Sequence, residues 1–334
     1  MAAATAVYQK IREVHNVHAD DIHALLPLPD RTFVTGSKDG SLKKWDLDGK
    51  LVSVIYDPGV INYHSWITAL APLGRDRWLS GTRDGYIHLW DVEGNELNVL
   101  RRPARQAEEH RCKQRNWQRV NCLADFGGAR FLAGWPTQFT VQGGRDFHKM
   151  GEVQTSENDW VYAIHPIREA ALLVVTGGRV DLLEQDREGW RASLLVKEGA
   201  KRGEHRSFIS ALTPLRERAS WVGLSIFNGY VSVYDFEAHK IVMSAKEHQK
   251  RVWTIENVTA SVFASCADDG TIKLWDLRNP KKSVMTLRDN VDQPARVSVL
   301  LSPQEDLLIS GSCPDAVRES EEKAMLSFWD LKKG

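Results

Sequence analysis

The sequence predicts an all-β ring of seven four-stranded antiparallel blades, in which an N-terminal strand completes the last blade. Three observations carry this expectation. A unit ending in Trp-Asp or Tyr-Asp recurs along the chain, with Trp45 to Trp90 spanning 45 residues, Tyr234 to Trp275 41 and Trp275 to Trp329 54. Each unit is punctuated by Asp-Gly or Asn-Gly between alternating apolar and polar runs, the strongest short-range signal for a tight hairpin. Helical periodicity is nearly absent. Repeats of this length, at four strands each, build radial β architectures that leave few exposed sheet edges.

The elements follow in order. Val7–Val14 (VYQKIREV) reads as a lone strand ahead of the first unit. The clearest copies are VTGSKDGSLKKWDL (34–47), LSGTRDGYIHLWDV (79–92) and ASCADDGTIKLWDL (264–277), with a weaker one at VGLSIFNGYVSVYDF (222–236) and a closing SFWDL (327–331). Between Trp90 and Tyr234 the pattern degenerates. FLAGWPTQFTVQ (131–142) and LLVVTGGRVDLLEQ (172–185) still read as strand pairs, and the spacing requires two units there, so the count is seven. The last unit has no fourth strand of its own, which the N-terminal strand would supply, hiding an open edge. Gly127-Gly128, Gly143-Gly144 and Gly177-Gly178 fall between strand-like runs and read as turns.

These residues resemble the WD-repeat (WD40) β-propeller family. There a His before the first strand, a Ser or Thr, the turn Asp and the Trp form one buried hydrogen-bonded set per blade. The first unit matches with His18, Thr35, Asp39 and Trp45, and the sixth with His248, Ser265, Asp269 and Trp275. The second has Ser80, Asp84 and Trp90, but its His64 sits one residue out of place. A buried indole N–H needs an acceptor, and a fully paired network satisfies it. The His/Ser/Asp sets thus read as structural. The resemblance implies a single domain over 1–334, closed by 7–14, with insertions at 101–119 and 315–323.

Composition narrows the function. Lys plus Arg and Asp plus Glu are 44 each, so bulk charge favours neither nucleic acid nor a membrane surface. The four cysteines (Cys112, Cys122, Cys266, Cys313) form no C-x-x-C pair, and His110, Cys112 and Cys122 lack a fourth ligand for zinc. MAAATAVYQK does not read as a signal peptide, and no window is apolar enough to span a membrane. An intracellular location, cytoplasmic or nuclear, is therefore expected. G-x-S-x-G, H-E-x-x-H and G-x-x-x-x-G-K-[ST] are all missing, so no catalysis and no cofactor is expected.

The resemblance implies partner binding on one rim of the channel, at the residues three and five after the His position and the residue before the turn Asp. Carried onto this sequence, these positions are Asp21, His23 and Lys38 in unit one and Trp66, Thr68 and Arg83 in unit two. Unit three gives Arg119 and Asn121, unit four Trp160 and Tyr162, and unit five Phe208 and Phe227. Arg251, Trp253 and Asp268 follow from unit six and Arg296 from unit seven. Trp, Tyr and Arg dominate, as in protein-interface hot spots. Loop logic puts both insertions on that rim. The first holds seven Lys or Arg against two Glu, and KEGAKRGEHR (197–206) adds a second basic stretch. Together they offer an alternative as an RNA- or nucleosome-linked surface. Finally, Trp275-Asp276-Leu277-Arg278 resembles the WD-x-R box of WD-repeat substrate receptors for cullin-type ubiquitin ligases, which would make Asp276 and Arg278 adaptor contacts. A protein or peptide on the rim is favoured over nucleic acid.

Overall fold

The structure, a computed structural model, describes residues 9–59, 65–101, 119–136, 138–143, 147–155, 160–168, 171–187, 189–197, 208–288, 295–314 and 323–332. These residues form 28 strands in seven four-stranded antiparallel sheets, with no helix among them. The first blade runs outward through Ile22–Pro27, Thr32–Ser37, Leu42–Asp46 and Leu51–Tyr56, and the second through Ile67–Leu73, Arg77–Thr82, Tyr86–Asp91 and Glu96–Arg101. The degenerate third and fourth units form equally complete blades, starting at Cys122–Gly127 and Val161–Arg168. Blades five and six start at Ile209–Pro214 and Val252–Asn257. Blade seven comprises Ala295–Gln304, Leu307–Pro314, Ala324–Asp330 and, on its outer edge, Gln9–His18. First strands of successive blades touch in an unbroken circuit that returns to blade one. The molecule is a seven-bladed β-propeller.

The closing strand is longer than its sequence suggests. It continues past Val14 to His18, pairing Gln9 with Asp330 at one end and His18 with Ala324 at the other. Residues 7–8 lie outside the described residues. The extension has a physical cause. His18 is fully buried in blade one, where its ring meets Thr35 Oγ1 at 2.6 Å, Ser41 Oγ at 2.8 Å and Asp39 at 3.2 Å. One residue therefore ends the strand that closes blade seven and joins the hydrogen-bonded set of blade one.

Indole donors repeat around the ring. Trp45 donates to Thr35 at 3.0 Å, while Trp90, Trp275 and Trp329 donate to Ser80, Ser265 and Ser310, each at 2.9 Å. In blade six, His248 meets Ser265 at 2.8 Å and Asp269 at 3.2 Å. Burial opposes charge on Asp39 and Asp269, yet hydrogen bonds from the His rings and from Ser41 and Thr271 hold both carboxyls below the usual range. Blade three substitutes another arrangement, with Trp135 at the far end of the second strand donating to Thr140 at 3.1 Å. In blade five Tyr234 replaces Trp and donates to the Leu195 carbonyl of blade four. His64 lies outside the described residues.

Between blades the core is apolar. Leu73, Leu79, Ile87 and Leu89 pack on Val120, Phe131, Ala133 and Trp135 of the next blade. Glycine in the second strand permits the close approach: a Cβ on Gly81 would come 2.5 Å from Val120 Cγ1, and one on Gly36 2.5 Å from Ile67 Cγ2. The Asp-Gly and Asn-Gly turns have the expected positive φ, +86° at Gly40 and +91° at Gly229.

Candidate functional site: the mouth of the channel

One backbone hydrogen bond explains why residues far apart in sequence share the mouth. In blade one the Lys38 N–H donates to the Asp21 carbonyl at 2.9 Å. The same bond recurs from Arg83 to Trp66, Phe227 to Phe208 and Asp268 to Arg251, each at 2.9 Å. It ties the residue before each turn to the residue leading into the first strand, so both side chains open on one face.

These side chains converge on a cavity of about 490 Å³ at the mouth of the channel. Asp21, His23, Lys38, Trp66 and Arg119 line it on one side, and Trp160, Tyr162, Phe227, Arg251, Trp253 and Arg296 on the other. Thr68 and Asn121 line it too. Arg83 and Phe208 stand behind this wall, Arg83 with its guanidinium 4.1 Å from the Trp66 ring centroid and Phe208 against Tyr162 and Phe227. The volume lies within the range of ligand clefts.

The mouth has three sectors. At the seam of blades seven and one, Asp21 accepts from Arg296 at 2.8 and 3.0 Å and pairs with Lys38. Burial disfavours its charge, but Lys38 and then Arg296 overcome this and hold the carboxyl below its ordinary value. Across blades four to six runs an aromatic arc. Trp160 meets Tyr162 at 6.4 Å between centroids, Phe208 meets Phe227 at 5.8 Å, and Phe227 meets Trp253 at 6.3 Å. Arg251 lies 4.1 Å over Phe227, a cation–π placement, while Trp253 donates to Asp268 at 2.6 Å. In the third sector Trp66 lies beneath Arg83 and Lys38, beside Arg119 and His23. Burial, then Lys38 and Arg119, pushes His23 down to about 3, so its ring is neutral at pH 7.

The position five after His has a second use that residue-type reasoning missed. Thr68, Ser210 and Ser298 donate to the Val120, Val252 and Ile22 carbonyls of the next blade. Ser210 and Ser298 line the cavity as well. The repeat spacing alone could have found them. Attention to large and charged side chains passed them over, although small hydroxyls here stitch adjacent blades.

The WD-x-R residues occupy the opposite end of blade six. Arg278 follows the third strand, away from the turn that faces the mouth, and makes a forked ion pair with Asp276, its guanidinium 2.6 Å from Oδ2. It is well exposed and borders a crevice of about 410 Å³ lined also by Asp306 and Lys332. The basic stretch 197–206, apart from Lys197, and the insertions, apart from Arg101, Arg119 and Lys323, lie outside the described residues, as do His110 and Cys112. Cys122 is partly buried, and its desolvation pushes the thiol up to about 12. Among the described residues no group of His, Cys, Asp and Glu could hold a metal ion, and no helix is long and apolar enough to cross a membrane.

The profile of the WD domain, G-beta repeat, matches residues 9–46, 58–91 and 231–276. The chain carries WD repeats at these three places in a β-propeller fold. Its fold is that of the WD40 β-propeller domain of Doa1, with a TM-score of 0.73 over 98% of both chains at 15% identity. Among curated proteins it is similar to SPA1-RELATED 3 of Arabidopsis thaliana, 38% identical over 85 residues, covering 25% of this chain and 10% of that protein. The E3 ubiquitin-protein ligase COP1 of the same plant is 27% identical over 94 residues, 28% of this chain and 13% of that one. WD repeat-containing protein RUP2 of Arabidopsis is 31% identical over 101 residues, 28% and 27%. The matched segments thus span between a tenth and about a quarter of these relatives.

Proposed function

We propose that this WD-repeat propeller is a non-catalytic interaction scaffold that holds a peptide or partner protein at the mouth of its channel. The observation that carries this reading is the convergence of Trp66, Trp160, Tyr162, Phe227, Arg251 and Trp253 on one cavity. Buried aromatic and arginine anchors surrounded by packed neighbours are the composition of interface hot spots. Backbone hydrogen bonds at the turns tie down Trp66, Phe227 and Arg251, so little conformational entropy is lost on binding. The test is affinity capture from source-cell lysate with mass spectrometry, comparing the wild type with folded Arg251→Asp/Trp253→Asp. Partners lost from the variant support the mouth; an unchanged set of partners rejects it.

A second reading is favoured by one further observation. The partial likeness to COP1 joins an exposed Arg278 at the far end of blade six. On this reading the chain is a substrate receptor, with substrate at the mouth and a ubiquitin-ligase adaptor at Asp276 and Arg278. Arg278→Glu is then expected to abolish adaptor capture and spare mouth partners. Capture of no adaptor by the wild-type chain removes this reading.

A further inference from the structure

We infer that the blade-three sector of the mouth is a carboxylate-recognition site, taking an Asp or Glu side chain of a peptide whose neighbouring apolar residue lies on the aromatic arc. This rests on the mouth being the partner site and names the chemistry it would select.

The argument starts from donors without acceptors. Arg119 Nε and Asn121 Nδ2 are both buried and hydrogen-bonded to nothing, and they stand two residues apart at the entry to the first strand of blade three. Both atoms can only donate. A buried donor left unpaired costs on the order of 1–3 kcal/mol, so its retention calls for an explanation. In blades two, five and seven the position of Asn121 is filled by Thr68, Ser210 and Ser298, whose hydroxyls stitch the next blade. Asn121 presents an unpaired amide instead.

The charges point the same way. Burial and then Arg83 pull the Arg119 guanidinium below its usual pKa, which marks a cation held near another cation. The carboxylates at the mouth are committed elsewhere: Asp21 to Lys38 and Arg296, and Asp268 to the Trp253 indole. A ligand carboxylate would supply two acceptor oxygens for the two waiting donors and a negative charge between Arg83 and Arg119. Charge-assisted bonds of this kind are about twice as strong as neutral ones. Tyr162 acts electrostatically on Arg119 and is also the first ring of the arc after Trp160, so the acidic and apolar subsites adjoin.

The experiment uses the full chain and arrays of nonapeptides with a fixed central Glu, Gln, phosphoserine or Lys and a fixed Phe or Leu within two positions. Glu arrays are expected to retain at least about tenfold more protein than Gln arrays. Folded Arg119→Gln should erase that ratio, while Ile241→Glu, on the exposed outer strand of blade five, leaves it intact. Asn121→Asp, nearly isosteric, should also erase it, and it carries the test if Arg119→Gln melts early. Equal retention on Glu and Gln arrays, stronger retention on phosphoserine, or a ratio that survives both mouth substitutions overturns the carboxylate site. If no array binds while Arg251→Asp/Trp253→Asp still loses captured partners, the mouth stands and the carboxylate inference alone falls.

Discussion

Asp21, before the first strand of blade one, accepts two hydrogen bonds from the Arg296 guanidinium of blade seven, so residues 275 apart in sequence meet at the seam of the ring. Lys38 completes the cluster on Asp21. The seam is thus held by side-chain charge at the mouth and by the closing strand at the rim.

Removing that charge should loosen the ring. Asp21→Asn takes the buried carboxylate away from Lys38 and Arg296 and is expected to cost about 1–3 kcal/mol at pH 7. The Asp21 carboxyl is held below its ordinary value, so its contribution is present at neutral pH and is lost as pH falls through the folded-state pKa. Urea melts of wild type and variant should differ at pH 7 and draw together below about pH 3.9, the unfolded value. An equal difference at every pH contradicts the electrostatic account.

The buried hydroxyl of blade six should matter as much. Ser265→Ala deprives both the Trp275 indole and the His248 ring of their partner, leaving two buried polar groups unsatisfied. A loss of about 2–4 kcal/mol is expected. In blade seven Ser310 serves only the Trp329 indole among the bonds described, so Ser310→Ala should cost less, about 1–2 kcal/mol. Chemical denaturation of the two variants checks the order.

Glu256, on the first strand of blade six, works in the opposite pH direction from Asp21. Burial pushes its carboxyl up to about 7, against a backbone hydrogen bond from Ser302. A raised folded-state pKa means that its contribution is intact below about pH 4.3 and is lost as pH rises through 7. Glu256→Gln, which cannot ionise, should be more stable than wild type at pH 8, by about 1–3 kcal/mol, with no such gain at pH 4. Equal melting temperatures at pH 8 contradict this assignment.

What was legible in the sequence follows from what repeats. The turns at Gly40 and Gly229 need positive φ, and the partners of Trp45 and Trp275 recur at fixed spacing, so blades one, two, five and six announce themselves. Blades three and four could only be counted by length; in blade three Trp135 finds its acceptor on Thr140, a partner that the repeat pattern does not specify. The mouth was legible because a recurring backbone bond, such as Lys38 to Asp21, ties the positions together in blades one, two, five and six. The unpaired donors on Arg119 and Asn121 were not, since whether a polar atom finds a partner depends on every neighbouring blade at once.

The most direct test of the central claim is site-specific photo-crosslinking in source cells. Benzoylphenylalanine would replace Phe227 in the arc at the mouth and, as controls, Ile241 on the exposed outer edge of blade five and Arg278 on the opposite face. The account predicts a discrete crosslinked partner from position 227, competed away by excess unlabelled propeller and missing from position 241. Crosslinks from 241 or 278 with none from 227 would contradict it.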